Sequence, residues 1–295
     1  MSVSGQYSRV ISTLGHGVSL QPEFFGDFLA GARPEVDFME LSSDGYVHAG
    51  ARAWAVAARV RQQVPVTLHG HGLSLGDVRG PRASYLDDLA DIVDRLEPVL
   101  VSDHLCWSSD AGHFSQYPLP LPRTAATLKR VVRNVTRTQE RLKRRILVEN
   151  VTRYVEFSED EMTEAEFLCE LASAADCWLR LDVSAAYING HNLGVNASQL
   201  IESLPSKRIQ QLSLGGFSRF AEPGASALLI DSRAADIADP IWDLYRVTVR
   251  HASHTPTVVQ REARLPPLQS VVAECARARR IASSLLSPDT SRLSA

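Results

Sequence analysis

Short apolar runs and longer helical patterns alternate along the chain. The run Pro98–Val101 is typical of a buried strand, and the segment Thr124–Lys143 places Leu128, Val131 and Val135 on one helix face. Eight strands are predicted in this way: Leu14–Leu20, Val36–Leu41, Val64–His69, Pro98–Asp103, Arg145–Asn150, Trp178–Val183, Ile209–Leu214 and Pro256–Gln260. Helices are predicted between and after them, among them Ala51–Gln62, Ala83–Leu96, Thr124–Lys143, Glu164–Ala174 and Leu268–Leu285.

This alternation predicts an α/β fold in which eight strands, each followed by a helix, close into a (β/α)8 TIM-type barrel. Residues 215–232, after the seventh strand, are predicted as a long loop. No repeat and no linker divides the chain. We therefore expect residues 1–286 to form one domain and residues 287–295 to be a disordered tail.

The composition is that of an ordinary globular protein and argues against several classes of function. The chain has 295 residues, of which 44% are hydrophobic and 22% charged, and its net charge is −3. This weak charge favours neither nucleic acid nor an acidic membrane as a partner. No apolar run approaches the ~20 residues of a membrane span. The four cysteines are scattered without a CxxC pair, so we expect a cytoplasmic protein.

Polar side chains end nearly every predicted strand. In a barrel of this kind the carboxyl ends of the strands meet on one rim, where active sites lie. Ionisable groups at the ends of buried strands are costly unless a ligand or a partner uses them. The side chains at these ends are Glu40, His69, His71, Asp103, His104, Glu149, Asn150, Asp182, Ser213 and Gln260. Imidazoles and carboxylates suit iron, manganese or zinc, so the rim predicts a metal site.

Each of these residues also has a purely structural interpretation. Asp103 is a candidate to orient a neighbouring histidine, Glu40 to pair with an arginine, and Asn150 to cap a loop. Metal-dependent sugar isomerases and endonucleases have similar barrel rims. The combination of these groups on one rim, rather than any single residue, therefore carries the hypothesis.

Five segments of the chain resemble the multinuclear non-heme iron-dependent oxidases, a family that includes the methanobactin-biosynthesis oxidase. They are TLHGHGLSLG, VSDHLCWS, ILVENVTRYV, LDVSAAYINGHNLG and LLIDSRAADIADPIWDLY, and the resemblance runs from about Gly15 to about Pro267. It implies a xylose-isomerase-like barrel with two or three iron ions, which uses dioxygen to modify cysteines of ribosomally made peptides. It also implies a precursor peptide as substrate and a small partner protein that recruits this peptide.

The resemblance also implies roles for individual residues. His69, His104 and Glu149 fall at metal-ligand positions, with Asp182 and Asp231 as further acidic ligand positions. The residues implied to support the ligands or to contact the substrate are Glu40, Asp103 and Asn150.

The second half of the motif set departs from the family pattern. Ser213 and Phe217 stand where the family has the two histidines of His-Leu-Ala-Gly-His, and Arg233 replaces the histidine of Ile-Asp-Thr-His-Asp. Gln260 replaces the glutamate of Ile-Glu-Trp-Asp. Serine and glutamine are poor iron ligands, and Arg233 brings a positive charge where a cation would sit. We therefore expect one metal ion rather than two or three, with Arg233 as a candidate to neutralise Asp182 or Asp231.

Three functions remain open from the sequence. The first is an active iron-dependent oxidase that modifies cysteines of a precursor peptide. The second is a metal-depleted, non-catalytic family member that acts as a peptide- or partner-binding scaffold. The third, which we rank last, is a single-metal isomerase or hydrolase acting on a small molecule.

Overall fold

Eight parallel strands close into a barrel in which each strand pairs with its neighbours in sequence. The computed structural model describes residues 14–110, 113–221 and 226–286. The barrel strands are β1 (His16–Ser19), β2 (Phe38–Ser42), β3 (Val66–Gly70), β4 (Val101–His104), β7 (Leu147–Glu149), β8 (Trp178–Asp182), β9 (Ile209–Gly215) and β12 (Thr257–Gln260). Each of them overlaps a strand predicted from the sequence, so the predicted barrel is confirmed.

Helices cover the outside of the barrel and return the chain to its amino end. They are α1 (Phe25–Leu29), α2 (Ser43–Val47), α3 (Ala51–Gln63), α4 (Ala83–Leu96), α5 (Ala125–Leu142), α6 (Glu164–Ala174), α7 (Val183–Leu193), α8 (Ala197–Ser203), α9 (Asp239–His251) and α10 (Leu268–Leu286). Short 3-10 helices span Pro22–Phe24 and Ser206–Arg208. None of the described helices is long and apolar enough to cross a lipid bilayer.

Local hydrogen bonds fix where several helices begin. Helix α6 starts with a capping box, in which the Thr163 hydroxyl accepts from the Glu166 amide at 3.2 Å and the Glu166 carboxylate accepts from the Thr163 amide at 2.8 Å. Helix α7 follows β8 directly, and its cap is Asp182, whose Oδ1 accepts from the Ala185 amide at 2.9 Å. The start of α7 therefore fixes one oxygen of a carboxylate on the functional rim.

Two hairpins extend the loops at the carboxyl end of the barrel. The first, β5 (Trp107–Asp110) with β6 (His113–Leu119), follows β4. The second, β10 (Ser218–Phe220) with β11 (Leu228–Ile230), lies within the segment predicted as a long loop, so that prediction was wrong for these residues. Strands of three residues are too short to show a period, and only their pairing defines them. The predicted tail, residues 287–295, lies outside the described residues.

The barrel interior is apolar at its amino end and polar towards its carboxyl end. A small apolar cluster closes the amino end, formed by Leu14, Phe38, Leu100, Leu147 and Val258. Above it lies a buried polar layer made of Glu40, Ser102, Arg180 and Gln211, each from a different strand. Polar groups at such depth are stable only when they are hydrogen-bonded to one another. This layer is the floor of the functional rim.

A buried histidine lies on β1, near the start of the barrel. The His16 Nε2 atom is 3.1 Å from the Tyr245 hydroxyl, and the backbone amide of His16 donates to Asp37 at 2.7 Å. Burial, assisted by the positive charge of Arg279, lowers the pKa of His16 to about 4. This imidazole is therefore neutral in the folded protein and gains a proton on unfolding in mild acid.

We expect His16 to make the fold sensitive to acid. Because the unfolded histidine keeps a pKa near 6.5, the folded state binds fewer protons between the two values, and stability falls as the pH drops. This contribution to the free energy of unfolding should fall by about 3 kcal/mol between pH 7 and pH 4. Urea unfolding of wild type and His16→Gln across this range measures the difference. Equal pH dependence in the two proteins would contradict the assignment.

Candidate metal centre

His69, His104 and Glu149 meet at the carboxyl ends of the adjacent strands β3, β4 and β7. The Glu149 Oε2 atom lies 3.1 Å from His69 Nε2 and 3.2 Å from His104 Nε2. The two imidazole centroids are 4.5 Å apart, and the three potential ligand atoms all lie within 4.8 Å of one another. The register explains the meeting, because His104 lies directly beside Glu149 in the pairing of β4 with β7. This group has the size and the donor types of a metal site.

Hydrogen bonds orient both imidazole rings. The Nδ1 atom of His104 lies 2.8 Å from the Gly70 carbonyl, which can only accept, so this nitrogen carries the proton. The Nδ1 atom of His69 lies 2.9 Å from the Ser102 hydroxyl, whose own proton is donated to the Leu68 carbonyl at 3.1 Å. In this arrangement the Nδ1 atom of His69 is the donor as well. Both Nε2 atoms therefore direct lone pairs into the site.

Glu149 Oε2 faces these lone pairs and has no hydrogen-bond donor among the described residues. Burial lowers the pKa of both His69 and His104, so their imidazoles are neutral. Burial also acts to raise the pKa of Glu149, but Arg180 together with His69 and His104 outweighs it and holds that pKa well below its usual value. Three buried acceptors thus converge without a proton between them. Such an arrangement is costly unless a cation lies among them, and these are the protonation states that bind metals.

Arg180 lies at the centre of the barrel, and its side chain has no exposed surface. Its guanidinium forms an ion pair with Glu40, and its Nε donates to Glu149 Oε1 at 2.5 Å. Ser213 donates to the same Oε1 atom at 2.6 Å. Because Oε1 is bound twice, Glu149 has only Oε2 left to face the imidazoles. Glu40 pairs with Arg180, as its structural interpretation proposed.

The sequence analysis missed Arg180. It placed Arg180 inside the predicted strand Trp178–Val183 and assigned it no role. Side chains alternate along a strand, so Arg180 faces the same side as Asp182, two residues later. A charged residue on the inward face of a barrel strand was the signal that would have identified it.

The remaining strand-end residues hold the backbone of the rim. Asp103 accepts from the Leu73 amide at 3.2 Å, and burial raises its pKa well above the usual value. The Nδ1 atoms of both ligand histidines bond to other groups, so Asp103 does not orient these rings through Nδ1. Asn150 clamps the backbone of Asp182, accepting from its amide at 2.8 Å and donating to its carbonyl at 3.1 Å.

His71 lies beside the centre rather than in it. Its ring centroid is 6.3 Å from that of His104, and its Nδ1 lies 3.3 Å from a carboxylate oxygen of Asp44. Asp44 also accepts from the Tyr85 hydroxyl at 2.6 Å. Asp44 was not predicted, because it follows β2 inside the short helix α2 and no sequence pattern links it to the rim.

Asp182 and Asp231 are not brought to the three potential ligands but surround Arg233. The Arg233 guanidinium pairs with Asp182, and its Nε donates to Asp231 at 2.8 Å. Burial acts to lower the pKa of Arg233, but Asp182 and Asp231 outweigh it and hold that pKa well above its usual value. The neutralising contact that the sequence analysis considered for Arg233 is therefore present in the structure.

The other three replaced positions are also occupied by defined contacts. Ser213 binds Glu149, as described above, and Gln260 accepts from Arg233 Nη1 at 2.7 Å while it donates to Glu40 at 2.8 Å. Phe217 is buried, with its ring centroid 5.8 Å from that of Tyr187. Ser213 and Gln260 thus belong to a hydrogen-bonded network, and the aromatic ring of Phe217 packs against Tyr187.

Comparison with known proteins identifies the family of this chain. The model of a family described as RiPP precursor modification enzyme MbnB/TglH/ChrH matches residues 15–283. The chain belongs to this family. The RiPP peptides of this description are ribosomally made and then modified, so the resemblance inferred from the five motifs is confirmed.

This MbnB/TglH/ChrH family member is similar to UPF0276 proteins from several bacteria. One from Anaeromyxobacter sp. (strain Fw109-5) is 39% identical over 273 residues, covering 92% of this chain and 94% of that protein. One from Caulobacter vibrioides (strain NA1000 / CB15N) is 35% identical over 267 residues, covering 90% and 94%. A solved xylose isomerase domain protein from Planctomyces limnophilus superposes with a TM-score of 0.57 at 13% identity, covering 92% and 96%. The predicted xylose-isomerase-like barrel is therefore confirmed.

Removing the charge of Arg180 should destabilise the fold strongly. Arg180→Met leaves Glu40 and Glu149 buried without their counter-ion, and we expect the free energy of unfolding to fall by about 3–5 kcal/mol. Arg145→Met is the matched control, because Arg145 pairs with Asp176 at the surface and should lose about 1 kcal/mol or less. Urea unfolding of both variants makes the comparison. Similar losses in the two variants would contradict a central role for Arg180.

Proposed function

We propose that this protein is an enzyme that modifies a ribosomally made precursor peptide and works with one iron ion bound by His69, His104 and Glu149. The observation that carries this proposal is the convergence of two imidazole lone pairs on a carboxylate oxygen without a donor. Two histidines and one carboxylate with open coordination positions are the ligand set of non-heme iron oxygenases. Family membership supports a peptide as the substrate.

Iron bound here would supply redox chemistry with dioxygen, directed at a cysteine of the peptide. The protein's own residues prepare the ligands for it. Gly70 and Ser102 hold the imidazoles with Nε2 deprotonated, and Arg180 with Ser213 holds Glu149 so that a single oxygen faces them. Because these supports are themselves buried and hydrogen-bonded, the ligands stay in place before the metal arrives.

The surface around the centre supports a peptide as the substrate. Among the described residues, seven of the eight exposed large hydrophobic side chains lie in loops at the carboxyl ends of the barrel strands. They are Val78, Trp107, Tyr117, Leu119, Tyr154, Val155 and Phe220. Exposed apolar side chains concentrated around a site mark a binding surface for another chain. A small sugar substrate would have no use for such a surface.

A non-catalytic scaffold is the second candidate function. It is favoured by the replaced positions, because Ser213, Arg233 and Gln260 are hydrogen-bonded to protein groups. A scaffold would retain the apolar rim and bind the peptide without metal. It does not account for the unpaired oxygen of Glu149 between two imidazoles, so we prefer the enzyme.

Metal content tests the ligand assignment. After anaerobic reconstitution with ferrous iron and removal of free metal, we expect about one iron per wild-type chain and almost none in His104→Ala, because that variant removes one of three ligands. His191→Ala, at an exposed histidine that bonds the Ala227 carbonyl, is the matched control and should keep the metal. Elemental analysis per chain gives the result. Iron-free wild type, or unchanged iron in His104→Ala, would refute the site.

Mass spectrometry tests the reaction. We expect iron-loaded protein with dioxygen to change the mass of a cysteine-containing precursor peptide encoded beside its gene, with the change located at cysteine. The small partner protein is included where its gene is adjacent. His104→Ala should lose at least about 100-fold in rate, because removal of a metal ligand removes the redox centre. Peptide binding without any mass change would instead favour the scaffold.

A further inference from the structure

A second cluster of oxygen donors lies on the same rim, and the geometry points to Arg233 as its permanent cation. We infer that the Arg233 guanidinium fills a second cation position, so that the rim accepts one metal ion and no more. The inference concerns the residues around Arg233, and it rests on the proposed function only in its count of metal ions. The residues there do not fit a metal as they stand, because the guanidinium occupies the point where their oxygens meet.

The donors around Arg233 come from three separate segments. Asp182 ends β8, Asp231 follows β11, and Gln260 ends β12. Arg233 pairs with Asp182 through Nη2, donates from Nε to Asp231 Oδ1 at 2.8 Å, and donates from Nη1 to Gln260 Oε1 at 2.7 Å. Two carboxylates and an amide oxygen form a donor set that divalent cations also use.

Burial favours a cation at this position. The Asp182 side chain is 3% exposed and the Asp231 side chain is 19% exposed. Two carboxylates at this depth repel each other and lose hydration, and they stay ionised only beside a positive charge. Arg233, itself 6% exposed, supplies this charge without any ion from solution.

The backbone is adapted to this arginine. A Cβ atom on Gly215 would lie 2.3 Å from Cδ of Arg233, so only glycine leaves room for the side chain. Arg233 itself has a φ of 50°, in the left-handed region that a long side chain rarely adopts. Its amide donates to the Gly216 carbonyl at 3.0 Å and holds this conformation. Strain of this kind persists where the surroundings require it and is typical of functional sites.

Arg233 does not serve as a substrate anchor. Each of its three guanidinium nitrogens already donates within the cluster, to Asp182, Asp231 or Gln260. Its side chain is only 6% exposed, so a peptide carboxylate has little access to its remaining N–H group. Arg233 is therefore a positioning residue, which fixes Asp182 and Asp231 and keeps a second metal ion out.

The experiment replaces the built-in cation by a metal ligand. Arg233→His removes the guanidinium and leaves an imidazole beside Asp182 and Asp231. After anaerobic reconstitution with ferrous iron, we expect about two irons per chain in this variant and about one in wild type. Arg233→Lys is the matched control, because it keeps a positive charge and should stay at about one iron. The double variant Arg233→His with Asp182→Asn should return to about one, because a carboxylate ligand is lost.

Equal iron content in wild type and Arg233→His would overturn this inference and leave the proposed metal centre intact. If wild type binds no iron and Arg233→His binds one, the proposed metal centre at His69, His104 and Glu149 is refuted. The inference that Arg233 fills a cation position is then supported. Thermal unfolding with and without ferrous iron gives a second measurement. If metal-free Arg233→His is unstable, ferrous iron should raise its melting temperature more than that of wild type. An unstable Arg233→His that iron does not stabilise, with Arg233→Lys folded, would also overturn the inference.

Discussion

The pairing of Arg180 with Glu40 and Glu149 holds three charges in the middle of a barrel, where water cannot reach them. A buried guanidinium of this kind is stable only with its carboxylates in place, and the carboxylates only with it. The strand ends are therefore tied together across the barrel, because the partners come from β2, β7 and β8. This constraint also decides how Glu149 faces the imidazoles, since one of its oxygens is already bound to Arg180.

Two arginines thus neutralise separate groups of carboxylates on the rim. Arg180 neutralises the floor of the site, and Arg233 neutralises the pair formed by Asp182 and Asp231. Gln260 links the two groups, because it accepts from Arg233 and donates to Glu40. The Oε2 atom of Glu149 remains between two neutral imidazoles, without a hydrogen-bond donor among the described residues. The proposed metal position is at this oxygen.

The residues that depart from the family's ligand pattern make defined contacts in this structure. The residues that replace expected ligands are not random losses, because Ser213 binds Glu149 and Gln260 binds Arg233. Gly215 provides the space that the Arg233 side chain requires. A decayed site would leave unpaired polar groups at these positions, whereas here hydrogen-bonded side chains occupy them. The proposed single-metal chemistry follows from this arrangement.

The sequence by itself determined the barrel and its polar rim, because period and strand ends are local properties of the chain, and the resemblance to the family implied the three potential ligands. His69 and Glu149 each follow an apolar residue directly, and His104 comes three positions after the run Pro98–Val101. Only the tertiary structure decided which charges pair, because Arg180 and Glu40 are 140 positions apart and meet across the barrel. It also decided that Asp103 serves the backbone and that Asp182 and Asp231 surround Arg233. Pairing depends on where side chains meet in space, and strand periodicity carries no information about that.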